Sequence, residues 1–502
     1  GRGRTGSPAS ARETLTAGRA FGNSRNRWID LSGRMTENDG MSRHGPLFTA
    51  LAALCLVVFL IVGSRLLPQP TWKAGLARVD ITPQEPIWLS GYASRGRPSQ
   101  GVLTPLWAKA LAMEDDRGKR ILLITLDLIG LDRNLSNRIR DAIAQEHGLN
   151  RDEILINTSH THTGPMVGEN LLTMVDLEPT EKARIKAYAD FLHRSIMEAV
   201  SRALTERQPA LFGFARGESS FAINRRQNNE SKIPELLEKE AELVGPVDHA
   251  VPVLRIRNLD SGKLIGLVFG YACHATVLNS FRISGDYPGF AQADLENRYP
   301  GVTALFWAGC GADQNPLPRR RIGLAREYGR RLADAVIEVV DRRQFERLRG
   351  PIESAYTEIP LPFAEVPEIA DLEKQRDSTD NPYVKRTVEH LLNRPDIMNH
   401  VRNGYPYPIQ TWVFGDQVRW ISLGGEVVVD YALAIKEAFA GEASAIWVAG
   451  YSHDVMAYIP SVRVLREGGY EGGGSMVYYG LPGPWDESIE TRILDTVTDQ
   501  LP

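Results

Sequence analysis

Cysteine is almost absent from this chain. Three residues, Cys55, Cys273 and Cys310, in 502 positions exclude a disulfide framework and fit no zinc-finger spacing; they leave at most one bridge, Cys273–Cys310. Histidine is scarce as well, with ten in the chain, so three of them at the ends of apolar strands is more than a bland fold needs. No long basic stripe occurs outside the N-terminus, and the formal net charge is −4. That balance argues against nucleic acid as a partner. A phosphate-binding loop is missing too: the triple glycine of "YEGGGSMVYYG" has no Lys-Ser/Thr after it and no strand and helix around it. It reads as a flexible loop. What is present, 43% hydrophobic and 24% charged residues, is the composition of a globular enzyme with a sizeable core.

Only one long uncharged apolar run occurs. Residues 1–40 do not begin with Met, are rich in Gly, Arg, Ser and Asn, and lack hydrophobic periodicity. They are expected to be disordered, or an upstream extension. Residues 41–66 begin at Met41, place Arg43 and His44 before the apolar stretch 46–64, and read as a signal peptide or signal-anchor helix. Arg43 favours an inside N-terminus. The rest of the chain is therefore expected outside the cytoplasm, anchored by 46–64 or secreted after cleavage near Ser64. Residues 67–75, with Pro68 and Pro70, read as a linker, and 76–502 as one large catalytic domain.

Within that domain strand-like and helix-like runs alternate. "LARVDIT", "LWAKALAME" and "RILLITLDLIG" are strands by their apolar content. "NLSNRIRDAIAQEHG" is an amphipathic helix closed by Gly148, and a strand over 152–157 follows, so 120–157 predicts a β-α-β unit. Helices are expected over 179–205, 323–341, 426–440 and 486–497. The polar stretch 365–405 has weak periodicity and reads as an insertion or lid. The fold class is α/β or α+β, with mixed sheets flanked by helices.

The chemistry gathers where apolar strands exit into polar residues, the usual place for sites in sheet enzymes. "ILLITLD" delivers Asp127, "ILINTSHTHTGP" delivers His160 and His162, and "LVFGYACH" delivers His274. "LFWAGCGADQNP" delivers Asp313 and Asn315, and "RWISLGGE" delivers Glu426. In an extended chain His160 and His162 point to one face. That suits two imidazoles on one metal ion, or one ligand and one proton-transfer group. His453-Asp454 is a further pair of this kind.

These residues also carry a resemblance. From "GLARVDITP" at 75–83 to "YEGGGSMVYYGLPGPW" at 470–485, the chain resembles the catalytic region of the neutral/alkaline (non-lysosomal) ceramidases. Between those ends lie "NTSHTHTGP", "INRR" at 223–226, "GPVD" at 245–248, "CHATVLN" at 273–279, "ISGDYPGFA" at 283–291, "GGE" at 424–426 and "AYIPS" at 457–461. The resemblance implies one zinc ion, held at the matching positions His160, His274, Glu426 and Tyr458. It also implies a catalytic set of His162, Arg225, Asp313 and Asn315, with His162 working on the substrate amide. Nitrogen and oxygen donors of that mix suit zinc.

Two departures stand out. Asn315 occupies the place of the family's catalytic serine, and an amide cannot become a deprotonated nucleophile. Water activated by zinc is then the expected attacking group. The C-terminal immunoglobulin-like domain of ceramidases has no counterpart before Pro502. The expected activity is zinc-dependent hydrolysis of the N-acyl amide of a ceramide-like lipid, with the membrane surface as a partner. The alternatives are a metal hydrolase of another amide or ester, such as an N-acyl sugar or peptide, and a non-catalytic surface binding protein. A phosphoesterase with Asp127, His160, His162, His274 and Asp286 around two metals is a weaker rival.

Overall fold

The structure, a computed structural model, describes residues 71–501 apart from 343–344. The expectations for residues 1–40, the apolar helix 46–64, Cys55 and cleavage near Ser64 lie outside the described residues. Among the described residues no helix is long and apolar enough to cross a membrane.

Runs such as Arg120–Leu126 and Ile154–Thr158 have apolar residues at consecutive positions, so a strand formed from them must be covered on both faces. The packing shows how. Ile121, Leu123 and Leu155 point into one layer with Trp307, Trp412, Trp420 and Trp447. Leu122, Ile124, Ile154 and Ile156 point the other way, onto the helices Arg133–His147 and Pro179–Thr205. Burying each such side chain contributes roughly 1.5–3 kcal/mol.

The large sheet runs in the order Ile154–Thr158, Arg120–Leu126, Trp107–Glu114, Lys73–Asp80, Gln208–Glu218, Ala250–Asn258, Leu264–Tyr271, Thr303–Ala308, with the short Glu346–Arg347 also on Gln208–Glu218. It is mixed: the first pair is parallel and so is the last, the others antiparallel. A second mixed sheet runs Ile352–Leu361, Tyr405–Phe414, Val418–Leu423, Ala445–Ala449. The two sheets face each other across the tryptophan layer. Helices Asp286–Arg298 and Ile322–Arg342 cover the rest of the large sheet through Phe269, Ala304 and Phe306. Helices Val429–Ala438 and Ile489–Gln500 cover the outer face of the second sheet through Tyr407, Ile421 and Val448. The order is helix, sheet, sheet, helix.

The β-α-β unit over 120–157 is present, with Arg120–Leu126 and Ile154–Thr158 parallel and Gly148 closing the helix at φ 64°. The helix expected from 426 begins only at Val429, because Glu426–Val427 is drawn into a two-stranded parallel ladder with Tyr458–Ile459. The helix expected from 486 begins at Ile489, after a turn in which Asp486 accepts from the Ser488 N–H. The polar stretch 365–405 folds as three short helices, Ile369–Ser378, Pro382–Asn393 and Pro395–Asn403. Only the first is weakly patterned; the other two each bury one apolar stripe, Val388 with Leu391 and Met398 with Val401. Cys273 and Cys310 are not bridged: both thiols are free and buried. Burial pushes both thiols up, so they stay protonated.

Candidate metal centre

The site forms where parallel strands of both sheets end. The strand Ile154–Thr158 does not continue into the histidines as an extended chain. His160 takes a left-handed conformation, φ 58°, so the two imidazoles meet across a turn rather than along one strand face. Their nitrogens still come together, His160 Nε2 lying 3.2 Å from His162 Nε2. His274 follows the strand Leu264–Tyr271. Glu426 and Tyr458 sit opposite each other in the short parallel ladder.

Backbone carbonyls set the proton on every ring. His160 Nδ1 is 2.6 Å from the Ile129 carbonyl, His162 Nδ1 3.0 Å from Gly91, and His274 Nδ1 2.8 Å from Gly311. A carbonyl only accepts, so each Nδ1 carries hydrogen and each Nε2 presents its lone pair. Glu426 Oε2 lies 3.1 Å from His160 Nε2 and 3.0 Å from His274 Nε2. The Tyr458 hydroxyl is 3.2 Å from His274 Nε2. All these side chains are buried. Glu426 Oε2 has no hydrogen-bond donor. Lone pairs packed against a carboxylate in a dry site repel one another unless a cation lies between them. His160, His162 and His274 can hold a metal ion, their ligand atoms lying within 4.8 Å of one another.

The electrostatics agree. Burial pushes His274 down to about 4, with the Arg225 charge acting the same way, so the ring is neutral at neutral pH. Burial pushes His162 well below the ordinary histidine value. Burial acts to raise Glu426, yet the carboxyl lies well below its usual range, a shift that needs positive charge on the His160 and His274 side of Oε2, where a ring proton or a bound cation would supply it. Neutral imidazoles and an ionised carboxylate are the forms a metal ion binds.

Arg225 closes one side. It donates to the Tyr458 hydroxyl (3.0 Å), to Asn315 Oδ1 (3.2 Å) and to Glu471 (2.7 Å). Thr276 donates to the same Asn315 oxygen at 3.3 Å. Both neighbours give hydrogens, which fixes the amide with its oxygen toward them and leaves Nδ2 as its donor. Asp313 lies behind this row. Its carboxylate accepts from the Asn224 amide and the Val429 N–H, and its backbone carbonyl accepts from the Arg225 N–H. It holds the strand that carries Arg225 rather than facing the imidazoles.

Other sequence candidates lie apart. His453 pairs with Gln410 and Asp454 with Tyr405. Asp127 accepts from the Trp107 N–H and Gln292, and Asp286 from the N–H groups of Leu278 and Tyr287. Among the described residues the three histidines form the sole cluster of this kind, so the two-metal arrangement is not assembled. The sequence reading missed several neighbours. The Tyr479 hydroxyl donates to Glu426 Oε1. Glu471 bridges Arg225 and Arg226, and the Tyr92 ring lies 4.9 Å from that of His162. At Gly91, φ 92°, a Cβ would sit 2.4 Å from His162 Nδ1, so glycine is required for the approach. Tyr479 and Glu471 lie inside the quoted "YEGGGSMVYYG", but no spacing rule ties them to residues elsewhere in the chain.

The chain is similar to known proteins. Residues 72–309 match the family described as neutral/alkaline non-lysosomal ceramidase, N-terminal. That match covers just under half of the chain, and over that region the chain is similar to the neutral ceramidases. Neutral ceramidase of Drosophila pseudoobscura pseudoobscura is 26% identical over 258 residues, covering 49% of this chain and 36% of the relative. That of Drosophila melanogaster is 25% identical over 282 residues, covering 53% and 37%. The chain thus spans little more than a third of the length of these ceramidases. Among solved structures, a ceramidase complexed with C2 superposes with a TM-score of 0.66 at 17% identity, covering 86% of this chain and 76% of that one. The neutral ceramidase from Pseudomonas aeruginosa gives 0.64 at 18%, covering 86% and 75%. These two likenesses establish the shared fold.

Proposed function

We propose that this protein is a zinc-dependent amidohydrolase that cleaves the N-acyl amide of a ceramide-like lipid to a sphingoid base and a fatty acid. The observation that carries the reading is the convergence of His160, His274, Glu426 and Tyr458 around the donor-less Glu426 Oε2. The family match over residues 72–309 supports the substrate class. Two or three nitrogen donors with oxygen donors of this kind suit zinc.

Bound there, zinc would supply Lewis-acid polarisation of the scissile carbonyl and a water of lowered pKa. The chain's own groups do the remainder. Asn315 Nδ2 and the Arg225 guanidinium stand on one side as donors for the oxyanion. His162, neutral and with its Nε2 lone pair turned inward, takes up a proton and returns it to the leaving amine. Its Nδ1 stays committed to the Gly91 carbonyl, which keeps the ring in that tautomer. Glu471 holds the Arg225 charge in place. With asparagine at 315, the acyl group is not passed to the protein at that position. Following the apolar stretch 46–64, we place the domain outside the cytoplasm; N-terminal sequencing of the mature protein tests cleavage near Ser64.

The test is an assay of the purified protein on N-acyl lipids, N-acyl sugars and N-acyl peptides, with and without a chelator. Hydrolysis of the lipids, abolished by chelation and restored by zinc, is the expected result. Preference for a sugar or peptide amide would retain the chemistry and move the substrate. Zinc bound with no amide cleaved would favour a surface binding protein.

A further inference from the structure

The arginines near the mouth of the site are unevenly placed. Residues 91–104, 274–285 and 315–323 contain six arginines, Arg95, Arg97, Arg282, Arg319, Arg320 and Arg321, and not one aspartate or glutamate. The whole chain, by contrast, is acidic at −4. The fold makes these three segments one surface. The Gln100 N–H donates to the Phe281 carbonyl and Val102 bridges Ile283, while the Arg320 N–H donates to the Val277 carbonyl. Tyr92 joins them to the site: its ring rests on His162, its hydroxyl donates to the Leu278 carbonyl, and Arg320 donates to that hydroxyl at 2.9 Å.

Arg95 is buried and spends its hydrogens on the carbonyls of Ser90, His162 and Ser280, and Arg319 is paired with Glu230. Arg97, Arg282, Arg320 and Arg321 are exposed. Among the described residues none of these four makes an ion pair. Arg97 lies over the Phe281 ring at 4.4 Å. Arg320 holds φ 83° although it is not glycine, a conformation that costs free energy and is kept where surroundings impose it. Beside them two large aliphatic side chains face outward, Val102 at 43% and Ile322 at 37% exposure. Arg282 donates to the Val102 carbonyl at 3.0 Å. Guanidinium groups without an acidic partner, interleaved with exposed apolar side chains, match an anionic bilayer surface, where phosphates meet the cations and the acyl boundary meets the aliphatic groups.

We infer that this face, formed by Arg97, Arg282, Arg320 and Arg321 with Val102, Phe281 and Ile322, docks the protein on an anionic lipid surface beside the mouth of the site. The choice of a lipid over another polyanion rests on the lipid-amide reading; the unpaired arginine face does not.

The experiment is hydrogen–deuterium exchange of the full chain with vesicles of pure phosphatidylcholine or of phosphatidylcholine with 30% phosphatidylglycerol, a composition chosen at roughly the anionic content that gives a usable surface potential. Exchange is expected to slow in segments 91–104, 274–285 and 315–323 with the anionic vesicles alone, and to recover in high salt. The quadruple variant Arg97→Gln, Arg282→Gln, Arg320→Gln, Arg321→Gln should lose that protection, and each single change should weaken it about fivefold. The single variants keep the test sound if the quadruple one misfolds. No protection of these segments, or equal protection on neutral vesicles, overturns the docking face. Protection by duplex DNA but not by vesicles overturns the lipid assignment. Hydrolysis is not read, so failure of the amidohydrolase reading is seen separately, in the chelator assay.

Discussion

Tyr479 reaches across from the glycine-rich segment to Glu426, its hydroxyl donating to Oε1 while Oε2 meets the imidazoles of His160 and His274. One carboxylate oxygen is thus oriented by protein and the other turned to the proposed metal position. Groups that orient a metal-binding carboxylate usually change affinity by 10–100-fold when removed. Tyr479→Phe should therefore weaken zinc binding by about that factor with the fold intact, as read by competition with a chromogenic chelator and by circular dichroism.

Asn315 tests the nature of the attacking group. With its oxygen held by Arg225 and Thr276, only the amide nitrogen is left to donate. Asn315→Leu should lose about 2.7–4 kcal/mol of transition-state stabilisation, as deletion of an oxyanion donor does. Metal content should be unchanged. Asn315→Ser should keep measurable turnover, and the wild type should stay unlabelled at this position by serine-directed acylating reagents. Unchanged turnover in Asn315→Leu would remove this residue from the mechanism.

His160→Ala removes a donor at the centre of the cluster and frees Glu426 Oε2 from one of its two imidazole neighbours. Zinc retention and activity should be lost together. Because a ligand that binds only the folded state stabilises it, by about 2.7 kcal/mol at a hundredfold excess over Kd, added zinc should raise the melting temperature of the wild type and leave the variant unmoved.

Asp454 gives a pH dependence away from the metal position. Burial pushes its carboxyl up from 3.8 to about 7, against the opposing hydrogen bond from Tyr405. The folded chain keeps this proton where the unfolded chain has released it. Its contribution is fully present below about pH 4 and is lost as pH rises toward 7, by up to about 1.4 kcal/mol per pH unit. Asp454→Asn should flatten the decline in urea midpoint between pH 5 and 8 and be more stable than the wild type at pH 8. A parallel decline in both proteins would contradict this.

Local pattern was enough for much of this molecule. Consecutive apolar residues in "ILLITL" and "ILIN", the Asp132 cap and the left-handed Gly148 specify a β-α-β unit within 40 residues, because their physics acts between near neighbours. The six residues His160, His162, His274, Arg225, Asn315 and Glu426, with Tyr458, were legible from strand exits and from resemblance to a family. Their convergence was not. It required His160 to leave the extended conformation, and Glu426 to leave its expected helix for a ladder with Tyr458, and both depend on contacts more than 30 residues apart in sequence. Tyr479 on Glu426, Glu471 on Arg225 and the three carbonyls that set the histidine tautomers carry no local signature at all. The same holds for the arginine face, where three segments that are unremarkable singly become one charged surface only when the chain brings them together. Composition and periodicity determine which elements form and what chemistry they carry. Which lone pairs face one another, and which charges are left without a partner, is decided by long-range packing.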